Sequence, residues 1–434
     1  MSRRASGKSK RRTGDSGTPD ALWLLTWLTV ALAHLVLLAT RLANAPSIPW
    51  RQFQAFGCYT LGMLATWMVF RFHKKMRADS RIVVLAYFLM GIGLAIQFRM
   101  GVFAGSGGRG VVLAVPLGMA ALIAALLLAS AGRYRRLVAV GWVCYGVAVA
   151  LLLVMLVFGR RYRGGIYLPG NLNPSELIKP LLVIFLAAFL GGRRADFSET
   201  QIGIPMPPAR TLLRFALLWA VPMGLIILLR DLGLLLLLNT VLVIMLYAVS
   251  RKPGYLVVGS LGVLLSGLAV GAVSAHARAR FDVWLNPFAD PTGKGWQILQ
   301  GLSAMYAGGL WGAGIGAGAP QSVPIVSSDF IYAALAEELG IIACVLLVLI
   351  FVMLALRGWT IAAQARGPFG LLLGVGLTAM ITVQALLNVG GVVKAIPMTG
   401  IPLPFVSQGG SSLVAALVMV GLLAAISDGR KGGT

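Results

Sequence analysis

The feature that most limits what this chain can fold into is a succession of long apolar runs. A hydrocarbon core about 30 Å thick takes roughly 20 apolar residues per helix. About twelve runs approach that length: 21–42, 53–70, 82–98, 111–130, 137–158, 176–192, 211–229, 231–249, 254–275, 329–356, 367–388 and 411–427. In lipid every backbone N–H and C=O must be satisfied within its own segment, so the runs predict helices. The fold class is an all-α polytopic membrane protein. Composition agrees, since only 12% of residues are charged against about 25% in soluble domains.

The formal charge of +24 raises nucleic-acid binding as an alternative, and the placement of the charges argues against it. Arg3, Arg4, Lys8, Lys10, Arg11 and Arg12 precede the first run. If that end is cytoplasmic, the even loops carry Arg71, Lys74, Lys75, Arg77 and Arg81, then Arg133, Arg135 and Arg136, then Arg251 and Lys252. Basic residues then lie inside over outside by roughly two to one, as the positive-inside rule requires. The run 21–42 follows a basic stretch and ends in Ala43-Asn44-Ala45, like a signal peptide, but it exceeds the roughly 7–15 apolar residues of one. Cys58, Cys144 and Cys344 fall within runs without pairing or metal spacing, and His34, His73 and His276 form no ligand cluster.

Residues 1–20 are basic, rich in Ser and Gly, and expected to be disordered. Three outward loops are long and polar or glycine-rich: 159–175, 276–328 and 389–410. The second is far longer than an ordinary connection, which marks a functional loop. Glu176, Asp231, Asp282, Asp290, Asp329, Glu337 and Glu338 all lie in or beside the outward half. Acids are costly near hydrocarbon, so an outward-facing polar cavity is expected.

Four segments carry possible chemistry. In Asn173-Pro174-Ser175-Glu176-Leu177-Ile178-Lys179 the acid and the lysine are three apart, on one helical face. They read either as a capping acid with a snorkelling lysine or as a polar pair lining a cavity. Arg230-Asp231-Leu232-Gly233 sits between two runs, either as a self-neutralising turn or as part of that cavity. The long loop holds Asn286-Pro287-Phe288-Ala289-Asp290-Pro291-Thr292-Gly293-Lys294-Gly295-Trp296-Gln297, then the glycines of 308–316, then Asp329-Phe330 and Glu337-Glu338. No strand precedes its glycines, so they are neither a P-loop nor a dinucleotide fingerprint; a flexible re-entrant loop fits them better. Finally, Lys394 to Phe405 leads into Ser407-Gln408-Gly409-Gly410-Ser411-Ser412. This helix start is either a plain cap or a site for an anion.

Together these segments resemble the shape, elongation, division and sporulation (SEDS) family, whose members include RodA and FtsW. Five stretches match in order: Asn173–Lys179, Arg230–Gly233, Asn286–Gln297, Asp329–Gly340 and Pro397–Ser412. Position 230 is Arg where the family has Pro, position 408 is Gln where Tyr is common, and the loop before Asn173 is short and lacks the family's Arg-Trp pair. The resemblance implies a ten-span core over 76–434, with 21–75 as two added helices. It implies a bacterial inner-membrane protein with both termini cytoplasmic. The implied activity is peptidoglycan glycosyltransfer, polymerising lipid II into glycan strands at the outer face, with Asp290 as general base. Implied substrate-binding residues are Glu176, Lys179, Arg230, Asp231, Gln297, Asp329, Lys394, Ser407, Gly409, Gly410 and Ser411. Arg230, Lys394 and Lys179 are the candidates to hold pyrophosphate, and a divalent ion (Mg or Mn) on the acidic cluster is the alternative. Implied partners are a class B penicillin-binding protein and other elongation or division proteins. A lipid II flippase and a non-catalytic scaffold are the competing readings.

Overall fold

Helix is the only long element these apolar runs form. The structure is a computed structural model and describes residues 20–44, 50–73, 76–104, 108–162, 165–168, 173–201, 204–205 and 207–429. The basic tail 1–19 and the loop lysines 74 and 75 lie outside the described residues. The helices are α1 (Asp20–Asn44), α2 (Gln54–Phe72), α3 (Ser80–Arg99), α4 (Gly108–Ala129), α5 (Gly141–Phe158), α6 (Ser175–Gly192), α7 (Arg194–Ser198), α8 (Ala209–Leu229), α9 (Leu232–Ser250), α10 (Gly254–Val273), α11 (Ala275–Leu285), α12 (Trp296–Gly308), α13 (Ile331–Ala363), α14 (Gly367–Val392) and α15 (Gly410–Asp428). Two short antiparallel pairs, Arg160–Tyr162 with Gly165–Tyr167 and Thr200–Gln201 with Ile204–Pro205, decorate the connections.

Ten of the described helices are long and apolar enough to span a bilayer. The other two expected intervals are occupied by α2, which carries Gln54, Thr60, Thr66 and Arg71, and by α10, whose apolar stretch among the described residues is Gly254–Leu268. Both are helical over the expected intervals.

α3, α6, α14 and α15 form the buried centre, while α1, α5, α8 and α13 leave rows of Leu and Val exposed. That outward apolar surface is what lipid requires of a helix. Small residues bring backbones together: a Cβ on Gly421 would lie 2.6 Å from the Leu122 carbonyl oxygen, and one on Gly93 would lie 2.6 Å from Val406 Cα. Close backbone approach at small residues supplies the packing that apolar surface alone cannot supply in lipid.

The bundle has two distinct ends. At one, Asp428 accepts from the Arg77 and Ala131 N–H groups, Asp79 pairs with Arg357, and the Asp79 N–H donates to Ser427. At the other gather the starts of α6, α9, α13 and α15, with the whole 275–330 connection. The added helices are packed in earnest: α1 lies on α3, α2 lies on α4, and Tyr59 and Tyr87 are fully buried between them. Thr66 Oγ1 and Tyr87 Oη are 2.6 Å apart, and Val30 closes on Gly91.

Candidate active site

α6 opens with Asn173, whose Oδ1 accepts from both the N–H and the hydroxyl of Ser175. This cap orients the first turn, and Glu176 and Lys179 then meet on its inner face. Lys179 Nζ lies 2.7 Å from Glu176 Oε2 and donates at 2.9 Å to Gln384 Oε1 on α14. Both charged residues are buried. Of the two readings of this motif, the geometry shows the inward polar pair and not a snorkelling lysine. With those two acceptors engaged, Lys179 is not an open anion holder in this conformation.

The network continues through backbone. Gln384 Nε2 donates to the Pro402 carbonyl at 2.9 Å. Asn388, one turn along α14, donates to the carbonyls of Ile401 and Asp329. Ser407 is buried, accepts from the Leu403 N–H and donates to the Ser328 carbonyl. The 397–407 segment is thus bolted to α14 and to the start of α13 by buried side chains.

Against this segment sit two acids and an arginine. Asp231 caps α9 by accepting from the Leu234 N–H at 2.9 Å, as an N-cap carboxylate does. Arg280 on α11 donates to the carbonyls of Thr399 at 2.9 Å and Met398 at 3.3 Å. Arg280 Nη2 and Asp329 Oδ2 flank the same face of Gly400. Desolvation lifts both Asp231 and Asp329 above the ordinary carboxylate value. The Leu234 N–H, Lys179 and Arg280 oppose it at Asp231; the Ser328 hydroxyl and Arg280 oppose it at Asp329. Desolvation likewise lowers Arg280, against the pull of Asp231 and Asp329. These are the responses of charges withdrawn from water and compensated by one another.

Asp290 lies apart from this buried group, exposed at the turn between α11 and α12. Its two carboxylate oxygens accept from the N–H groups of Gly293 and Lys294 at 3.0 and 2.9 Å. Each oxygen keeps a lone pair for a substrate hydroxyl. Gln297, one turn later, bonds the Pro324 carbonyl. Arg230 is exposed in the left-handed conformation at the end of α8, and Lys394 is half-buried, also left-handed. Neither is joined by a hydrogen bond or ion pair to the acids among the described residues. Gly409 is extended and Gly410 and Ser411 open α15, with no side chain capping that helix start.

Glu337 and Glu338 find their partners in the 309–319 stretch. α13 is broken at Gly340, where φ is 81°, and the freed carbonyls of 337 and 338 accept from the Ala313 and Gly314 N–H groups. The side chains accept from Ala319 and Gly316, and Arg99 ties Glu338 to the Gly316 and Gly318 carbonyls. The glycine-rich 309–319 stretch, expected as a flexible re-entrant loop, is hydrogen-bonded along its length to α13. Sequence reasoning also missed Gln384, Asn388 and Arg280.

The cell cycle protein family (FTSW_RODA_SPOVE) matches residues 110–432. This chain belongs to that family. The peptidoglycan glycosyltransferase RodA of Mycobacterium tuberculosis is 35% identical over 308 residues, 69% of this chain and 66% of that protein, so the match spans just under two thirds of the relative. The probable peptidoglycan glycosyltransferase FtsW of Geobacter metallireducens is 34% identical over 330 residues, 73% of this chain and 83% of the relative. Among solved structures, the rod shape determining protein RodA of Thermus thermophilus aligns at TM-score 0.57 and 25% identity, covering 82% of this chain and 98% of that one. A chain from work on the structural coordination of polymerization and crosslinking by a peptidoglycan synthase complex aligns at TM-score 0.66 and 27% identity, covering 82% and 99%.

All the candidate residues, from Glu176 to Ser411, lie inside the stretch that the family matches, whereas α1, α2 and α3 precede it. Among the described residues no group of three or more His, Cys, Asp or Glu side chains converges to hold a metal ion. Asp231 and Asp329 both feel the charge of Arg280.

Proposed function

We propose that this chain is a peptidoglycan glycosyltransferase that extends glycan strands from lipid II at the outer membrane face. Membership of the family across every motif segment carries the reading, and relatives that bear this activity's name support it. Asp290 takes the proton of the acceptor hydroxyl as its oxygen bonds to the donor's anomeric carbon. The bond to pyrophosphate breaks, and the leaving group takes the electron pair. The exposed turn suits an acid that must meet a large lipid-linked sugar. Asp231, Asp329, Lys179 and Arg280 form the polar group beside the 397–407 segment. Arg230, Lys394 and the uncapped start of α15 are the basic and N–H groups available to pyrophosphate. Any Mg²⁺ or Mn²⁺ would arrive with the pyrophosphate, as Mg²⁺ held by one or two carboxylates and substrate phosphates does. A class B penicillin-binding protein is the partner this reading implies, in line with the synthase complex among the similar structures.

The flippase reading has less support. Among the described residues, Asp, Glu, Lys and Arg within spans sit toward helix ends and not along a route through the middle. The deciding experiment incubates the purified full-length chain with labelled lipid II and resolves the products by gel. Glycan ladders are expected; none from a sample free of contaminating transferases, with its transpeptidase present, turns the reading over to flippase or scaffold.

Sidedness follows from the basic bias: both termini and 72–81 inside, 276–328 outside. Single cysteines in a Cys-free background should react with an impermeant thiol reagent in intact cells at 276–328 only. Labelling of 72–81 instead reverses the orientation.

Residues 1–75 are expected to be dispensable for catalysis. Their removal uncovers Tyr87 and Gly91 on α3, so the cost should appear in thermal stability. A truncated chain that inserts, folds and makes no polymer overturns this.

A further inference from the structure

The helix that leads into Asp290 is fastened to the 394–399 segment by two side chains one turn apart. On α11, Arg280 Nη1 bonds the carbonyls of Met398 and Thr399, and Trp284 Nε1 bonds the Lys394 carbonyl at 3.0 Å. Residues four apart share a helix face, so both bonds fix one face of α11 against one stretch of chain. The chain just beyond that stretch, Ile401 to Leu403, is held in turn by Asn388, Gln384 and Ser407. Past Trp284 little slack remains before Asp290. The Asn286 N–H closes α11 on Asp282, Asn286 Oδ1 accepts from Phe288, and the Pro287–Ala289 turn delivers Asp290. Arg280 Nη2 also lies beside Gly400 together with Asp329 Oδ2, and the Arg280 charge acts on both Asp231 and Asp329. Its guanidinium thus points to the 398–399 carbonyls.

We propose that Arg280 is a positioning residue for the transfer. Through α11 it sets where Asp290 stands relative to the 394–407 segment, with Trp284 as the second fastening. A guanidinium suits this task because one rigidly held nitrogen, Nη1, bonds both carbonyls while the delocalised charge acts on two carboxylates. A lysine supplies the charge without that rigidity, and a glutamine supplies a donor without the charge. A misplacement of about 1 Å at a reacting group costs on the order of 100-fold in rate.

The inference rests on the glycosyltransferase reading with Asp290 as base, and its test separates the two. Initial rates on labelled lipid II are measured for the full-length wild type, Arg280→Gln, Arg280→Lys, Trp284→Phe, Asp290→Asn and the double variant Arg280→Gln/Asp290→Asn. Arg280→Gln should lower kcat about 10-fold to 100-fold with KM within a factor of about two. Arg280→Lys should recover part of that, and Trp284→Phe should lose only a few-fold. In the Asp290→Asn background, Arg280→Gln should cost little more, since a group that acts by placing the base has nothing left to place. A raised KM with kcat intact shows Arg280 binding the donor and overturns the proposal. So does an undiminished effect of Arg280→Gln in the Asp290→Asn background, or equal damage from Gln and Lys matched by a loss of thermal stability. A wild-type rate for Asp290→Asn instead removes the base assignment, and an inactive wild type removes the activity itself.

Discussion

Asp290→Asn is expected to lower glycan polymerisation about 10²–10⁴-fold, the usual cost of losing a general base, while insertion and folding stay intact. The turn explains why the protein survives. Asp290 is exposed and makes its bonds within its own turn, to Gly293 and Lys294. An asparagine keeps an oxygen for one of these N–H groups and presents its NH₂ to the other. The swap therefore loses one exposed hydrogen bond of about 1 kcal/mol and is not perfectly neutral to the turn. That loss is far too small to account for a 10²-fold rate effect through unfolding. Asp282→Asn is the control. Asp282 is exposed on α11, and its replacement should leave the rate within about two-fold, as for most exposed substitutions. The readout is the initial rate on labelled lipid II, alongside the elution profile and melting temperature of each variant. Polymerisation by Asp290→Asn at the wild-type rate would sink the base assignment.

The helices were legible because a bilayer admits so few alternatives: each long apolar run has to satisfy its own backbone, and helix is the way to do it. Which face of each helix meets lipid was not legible. A span that is apolar all round gives no periodic signal, so the burial of α3 and α15 beside the exposed faces of α5 and α8 emerges only from packing. The Glu176–Lys179 pair was readable since i,i+3 spacing settles it locally. Its third member, Gln384, lies 205 positions away. The available signal was the amide pair Gln384 and Asn388, four apart in an otherwise apolar run, which marks a polar stripe facing protein. The partners of Glu337 and Glu338 were not legible for a different reason. They depend on the break at Gly340, and a single glycine in an apolar pattern does not announce a left-handed residue. Arg280 carried no local signal, because the carbonyls it bonds lie more than a hundred residues on.

Removing one member of the Glu176–Lys179 pair is expected to cost about 3–5 kcal/mol, because it strands a buried charge. The two single variants should not be equal. Lys179→Met leaves the Glu176 carboxylate in the interior, with Asp231 as a like-charged neighbour whose own ionised form Lys179 favours. It also removes the donor to Gln384 Oε1. Glu176→Gln leaves an amide oxygen where the carboxylate stood, so Lys179 keeps an acceptor there and a second one in Gln384. Lys179→Met should therefore be the more damaging of the two. The double variant Glu176→Gln/Lys179→Met removes both charges together, and the amide at position 176 is left near the vacated Gln384 oxygen. Its loss should fall well below the sum of the singles, by a coupling within the roughly 0.5–3 kcal/mol seen for residues of one network. Melting temperature and folded yield in detergent measure the stability side, and polymerisation rate measures the cavity side. Because Gln384 bonds Pro402 and Asn388 bonds Ile401 and Asp329, a broken pair should loosen the same segment that Arg280 grips. Lys179→Met should thus lose rate beyond its loss of folded protein, while the double variant regains part of both. Strictly additive losses in stability would show that the two side chains, 2.7 Å apart, are energetically independent.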